Sequence, residues 1–147
     1  MKPFAIISLV LFVGLSLANA QAPAKAKAPD NQAVRSSPAF AEVIFRRAEL
    51  EAELESQLME FTEEYPKVKS DRYSLALLQK QIDILLAIRP ADASKLTLAL
   101  GKLMVKKVEF DTDLWSLQQG LADGHPDVKR AKRKVEIFDK AIKDILG

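Results

Sequence analysis

There is no cysteine in this chain, and histidine and tryptophan occur once each. The first absence excludes disulfide staples, thiol nucleophiles and thiolate metal sites. One imidazole, His125, falls short of the ligand count of a typical zinc centre. Glycine is sparse, at five residues, and neither a glycine-rich phosphate loop nor a Gly-x-Ser-x-Gly element occurs. Bulk charge of one sign is also missing: twenty-two Lys and Arg stand against twenty Asp and Glu. That balance gives no general attraction to nucleic acid or to an anionic membrane. No cofactor, metal or small-molecule substrate is implied. Stability has to come from burial of apolar surface.

The one long apolar run lies at the start. Lys2 is followed by uncharged Phe4 to Leu17, and Ala18-Asn19-Ala20 forms a small-x-small cleavage site before Gln21. This pattern predicts a cleaved secretory signal over residues 1–20, with Ala18 and Ala20 as its recognition residues. The run is short for a membrane span, which takes about 20 residues. The mature chain is then expected in the periplasm or outside the cell, and it does not cross a membrane. Residues 21–37 are rich in Ala, Pro and Lys and are expected to be a disordered linker, because they offer little surface to bury. Residues 38–147 make one domain.

That domain says nearly the same thing twice. Residues 39–87 shifted by sixty fall on 99–147, matching Glu49 to Glu109, Leu54 to Leu114, Pro66 to Pro126, Val68 to Val128, Ile82 to Ile142 and Leu86 to Leu146. A repeat defines architecture before any local propensity does. The apolar period within each copy is helical. In the first helix it runs Phe40, Val43, Leu50, Leu54, Leu58, Phe61 and Tyr65. The second carries Leu75, Leu78, Ile82 and Leu85. The third carries Leu96, Leu100, Leu103, Phe110, Leu114, Leu117 and Leu121, and the fourth Val128, Ala131, Val135, Phe138, Ile142 and Ile145. Ser37-Pro38 reads as a cap and first-turn proline. Asp92 or Ser94 is expected to cap the third helix, and Gly124 to end it in a left-handed turn. The fold expected is all-α: two tandem antiparallel helical hairpins, 39–87 and 99–147, forming a four-helix bundle or an elongated coiled-coil-like array. Its longer helices should run roughly 40 Å.

The repeat also filters the chemistry. His125 aligns with Tyr65, so the shared feature is an aromatic ring before proline, a turn signal rather than a ligand or base. Glu49, Glu51, Glu53 and Glu55 alternate along one helix and spread around it, so they do not converge. Arg47 and Lys107 align as cations in the first-helix seam, read as long side chains reaching out from its edge rather than as a binding or register determinant. The run from Lys129 to Lys134 sits at a helix N-terminus, where the macrodipole disfavours cations, while Glu60, Glu63 and Glu64 end the first helix, the wrong end for anions. The two tips are therefore expected to neutralise each other, within one chain or across a dimer, with Arg130 and Arg133 carrying the contact. Met104, Val108 and Trp115 form a second stripe on the third helix. It marks either a central helix or a partner surface. Without convergent polar groups, an enzyme is not expected.

The segment Gly124-His125-Pro126-Asp127-Val128-Lys129, with Val135, Phe138 and Ile142 after it, resembles the periplasmic hairpin of Wzz-like polysaccharide chain-length regulators, where a His-Pro-x-Val turn likewise opens a long helix. The likeness covers about residues 124–145 and implies a helical hairpin in the cell envelope. Those proteins have flanking transmembrane helices, which the mature chain lacks, and no functional residue carries over. The sequence points to a non-enzymatic secreted protein that binds a protein partner or forms a homodimer. A periplasmic holdase-type chaperone is the alternative.

Overall fold

The computed structural model describes residues 31–147; the expected signal, with Ala18 and Ala20, and the first ten residues of the linker lie outside them. The described elements are α1 (Gln32–Arg35), α2 (Pro38–Leu58), α3 (Pro66–Ala87), a 3-10 turn (Pro90–Lys95), α4 (Leu98–Gln118) and α5 (Pro126–Leu146). Among the described residues there is no strand.

Local chemistry starts each long helix at the same place in both copies. The Ser37 hydroxyl accepts from Phe40 N–H and the Thr97 hydroxyl from Leu100 N–H, each at 3.3 Å. These caps are themselves sixty residues apart. Each satisfies one of the orphan donors of a helix start. Thr97, not Asp92 or Ser94, caps α4, because residues 90–95 form the 3-10 turn and Asp92 is held by Arg89 at 2.8 Å. Pro66 and Pro126 open α3 and α5, where a missing N–H costs nothing.

The turns also match. Glu60 and Phe61 N–H donate to Gln57 C=O and Tyr65 N–H to Thr62 C=O. Gly120 donates to Leu117 C=O, as does Leu121, and His125 N–H donates to Ala122 C=O. The helices before them therefore stop at Leu58 and Gln118, well short of the prolines. Phe61 and Tyr65 leave the seam where they were expected, and Gly124 does not end α4. Nor does it take a left-handed backbone, since the only positive φ among the described residues belongs to Gly147. Twenty-one-residue helices span about 32 Å rather than 40 Å.

The hairpins α2/α3 and α4/α5 lie side by side with both turns at one end, here the tip. This is a bundle, not an extended array. Helix α4 is central: α2, α3 and α5 all pack on it. Gly101 permits the α2–α4 approach, since a Cβ there would stand 2.8 Å from Glu42 Cβ and 2.9 Å from Ala39 Cα. The shared core fills the base half, with Val34, Val43, Leu78, Leu85, Leu96, Leu100 and Met104 fully buried. Val34 belongs to α1, so the linker's last residues are ordered: they plug the base, with Asn31 Nδ2 donating to Leu86 C=O at 3.2 Å. Toward the tip each hairpin buries its own pair of apolar side chains, Leu54 and Val68 in one, Val128 and Ala131 in the other.

Candidate interaction surface

The seam cations anchor a polar clasp that the two copies share. Arg47 reaches Glu51 at 2.7 Å and, across the hairpin, Gln79 at 2.8 Å. Lys107 reaches Asp111 at 2.8 Å and, across the hairpin, Asp139 at 4.0 Å. Every member lies sixty residues from its counterpart. The cation links the two helices of its hairpin, and it stays at the seam edge because burying it unpaired is costly. A second shared clasp closes each turn: Glu63 pairs with Arg72, and Asp123 with Lys132 at 3.0 Å. The Arg72 guanidinium, donating to Glu63, holds that carboxyl below the ordinary glutamate range and is itself held more firmly protonated. The Gln118 amide and then Lys132 do the same for Asp123.

Within one chain these turn clasps take the place of the expected neutralisation between tips. Within the chain each tip pairs with its own hairpin: Glu64 with Lys69, Arg130 with Asp127, and Arg133 with Glu136 at 3.0 Å. Partners three to nine residues away are in reach before the other hairpin is. Arg130 and Arg133 stay largely exposed, at 73% and 74%. Lys134 lies 5.3 Å over the ring of Phe110, which meets Phe138 edge-on at 5.0 Å.

Met104 and Val108 are not a surface. Both are buried in the shared core, because the second stripe of α4 is covered by its neighbours. Trp115 is half-buried and stacks on Tyr73 of α3, with centroids 4.8 Å apart and planes at 15°. Beside it the hydroxyls of Ser74 and Thr112 meet at 2.7 Å. Trp115 thus joins the two hairpins and walls a groove of about 330 Å³ shared with Glu64, Pro66, Lys69 and Gln119. His125 caps α5: its Nδ1 accepts from Asp127 N–H at 3.2 Å. Among the described residues no group of three His, Cys, Asp or Glu converges on a metal-sized site.

The feature that sequence reasoning missed is the tip of the first hairpin. Met59 is 85% exposed, and Leu58, Phe61 and Tyr65 are exposed around it. Phe61 and Tyr65 stack on each other, 4.2 Å apart and 11° from parallel, and so hold each other in one exposed two-ring stack. Glu60, Glu63 and Glu64 rim it. The same loop of the second hairpin is nearly featureless: Gln119, Gly120, Leu121, Ala122, Asp123, Gly124. One signal in the sequence could have found it. Two glycines in the second copy are poor helix material. The repeat places Glu60 and Glu64 at the same two positions, so the helix breaks there too and leaves Phe61 in a loop.

No known family, curated protein or solved structure matches this chain.

Proposed function

We propose that the mature chain is a non-enzymatic protein of the periplasm or extracellular space that works by protein–protein contact through the tip of its first hairpin. The observation that carries this reading is the gathering of exposed Met59, Phe61 and Tyr65 on one turn, with the two rings stacked, whereas the exposed Ile44, Phe45, Ile84, Leu98 and Ile137 are spread over the four long helices. Exposed apolar side chains scattered singly need no explanation, but a contiguous group on a rigid turn, rimmed by carboxylates, is what a partner site looks like. The apolar run and small-x-small site at the start of the sequence support export. Among the described residues no helix is long and apolar enough to cross a membrane.

The holdase alternative is less well supported. The amphipathic faces that would cradle an unfolded client are packed against one another in the shared core. The two are separated by placing a photo-crosslinking side chain at residue 59 and, as a control, at Lys140 on the exposed face of α5. A discrete adduct from 59 alone supports a tip-mediated partner. A smear of clients from both positions, with suppression of client aggregation, supports the holdase. No adduct from 59 overturns the proposal.

A further inference from the structure

Resting on that reading, we infer that the partner of the first tip is the second tip of another copy of this chain, in a two-fold symmetric dimer joined end to end.

Three observations on different residues lead there. The first is charge. Residues 59–74 carry four carboxylates against three cations, while residues 119–134, the same span sixty positions on, carry two carboxylates against five cations. Within the chain this imbalance is left standing, because the pairs described above are local. The side chains of Glu60 and Lys129 form no ion pair with any described residue. Glu64 is 84% exposed and Arg130 73% exposed despite their local partners.

The second is shape. Gly120 and Gly124 are not required by the fold. Neither has a positive φ, and a Cβ on either would meet nothing within 4 Å. The first hairpin makes the matching turn bonds with Glu60 and Glu64 in those places. Nothing within the chain asks for glycine there. A surface that must come close does: an aromatic stack can approach a loop with Gly120, Ala122 and Gly124, its Leu121 half-buried and its Asp123 held by Lys132, and cannot approach one carrying two glutamates there.

The third is geometry. Both turns lie at one end of the bundle, side by side. A two-fold axis across that end, perpendicular to the helices, lays the first tip of each copy on the second tip of the other. The contact is isologous and closes at two copies instead of running on into a fibre. Glu60 and Glu64 of one copy then face Lys129 and Arg130 of the other, twice over, and the Phe61–Tyr65 stack packs on the small loop. Complementary charge of this kind sets the partner and the register more than the affinity. Bundle ends offer less than the roughly 800 Å² per partner of a standard interface. The dimer therefore forms at high protein concentration and weakens with salt. Going from about 0.1 M to about 1 M shortens the screening length from about 10 Å to about 3 Å.

The test is mass in solution by sedimentation equilibrium over a dilution series of the mature chain. Wild type is expected to be dimeric at the concentrated end, and less so in high salt. Two charge-reversed variants, E60K with E64K and K129E with R130E, are each expected to be monomeric, because like charges then face each other across the axis. Mixed one to one they are expected to dimerise again, since every facing pair is then of opposite sign. A third variant, Gly120→Glu with Gly124→Glu, installs the residues the first hairpin already carries. It is expected to keep the wild-type melting temperature and lose the dimer. Wild type that stays monomeric at every concentration overturns the inference, as does a mixture that fails to restore the dimer. If the crosslinker at residue 59 nonetheless captures a different protein, the interaction reading stands and only the choice of partner falls. If it captures nothing, both fall.

Discussion

Replacing Gly101 with alanine is expected to destabilise this protein, against the usual direction for a helical glycine. In a helix interior with room around it, alanine is favoured by about 1 kcal/mol. Gly101 has no room. Its Cβ would stand 2.8 Å from Glu42 Cβ, 2.9 Å from Ala39 Cα and 3.0 Å from the Ala39 carbonyl oxygen. Two of those three atoms are backbone, so no side-chain rotation relieves them. Ordinary carbon contacts sit at about 3.5–4.0 Å, so α2 and α4 must part by roughly 0.5–1 Å, a gap that forfeits a quarter to a half of each dispersion contact nearby. Ala39, Val43, Leu100 and Met104 are fully buried around this approach and all lose contact. Overpacking of this kind costs about 1–3 kcal/mol. Set against the helix-propensity gain of about 1 kcal/mol, the net loss is up to about 2 kcal/mol. For a domain of this size, at roughly 4 °C per kcal/mol, that is a fall in melting temperature of up to about 8 °C, read by far-UV circular dichroism. Gly120→Ala, whose Cβ meets nothing, is the control and should melt near wild type. A Gly101→Ala protein that melts at or above wild type would refute the close approach of α2 and α4.

Other outcomes follow from the clasps, the base plug and the aromatic bridge. Lys107→Met should cost about 1–3 kcal/mol, because it leaves Asp111 and Asp139 facing each other at a site only 16% exposed, whereas Arg47→Met, at the more open equivalent position, should cost less than about 1 kcal/mol; chemical denaturation of both compares them. Val34→Ala should cost about 1 kcal/mol or more by emptying a fully buried site at the base, and equal stability would show that α1 does not plug it. Tyr73→Ala should shift the emission of the single tryptophan to longer wavelength without loss of helicity, since Trp115 loses the ring that covers it. Glu63 and Asp123 have folded pKa values below their ordinary ones, so their clasps contribute above the usual carboxylate range and are lost as pH falls through the folded values. In a carboxyl NMR titration Glu63 should therefore protonate after most other glutamates, and Arg72→Gln should bring it back to the ordinary range.

The helices were legible because period and punctuation agreed: apolar steps of three and four, Ser37 before Pro38, Pro66 and Pro126 at helix starts. The loops were not, because Phe61 and Tyr65 continue the helical spacing of Leu54 and Leu58 after the helix has stopped. The residue before a proline is pushed to extended backbone, and Tyr65 and His125 both adopt it. The central place of α4 was half-visible in its second stripe, but only packing distinguishes Met104 and Val108 in a core from the same residues on a surface. Within the chain the tip charges were misjudged, because dipole effects of about 0.3–1 kcal/mol were weighed against a distant hairpin, while Asp123, Asp127 and Glu136 stood within reach. Gly101 carried no signal at all: its counterpart, Ala41, faces solvent, so the need for glycine arises only from which helix α4 happens to meet.

Each turn is closed by its own backbone bonds and its own Glu–Arg or Asp–Lys pair, with no help from the neighbouring hairpin. The two tips are thus interchangeable parts. Exchanging residues 59–64 with 119–124 should leave the bundle intact, because both segments follow the same backbone path into the same proline. What moves is the surface. A duplicated hairpin of this kind can keep one turn plain and let the other vary, so that new contacts arise at one end of the molecule without disturbing the core at the other.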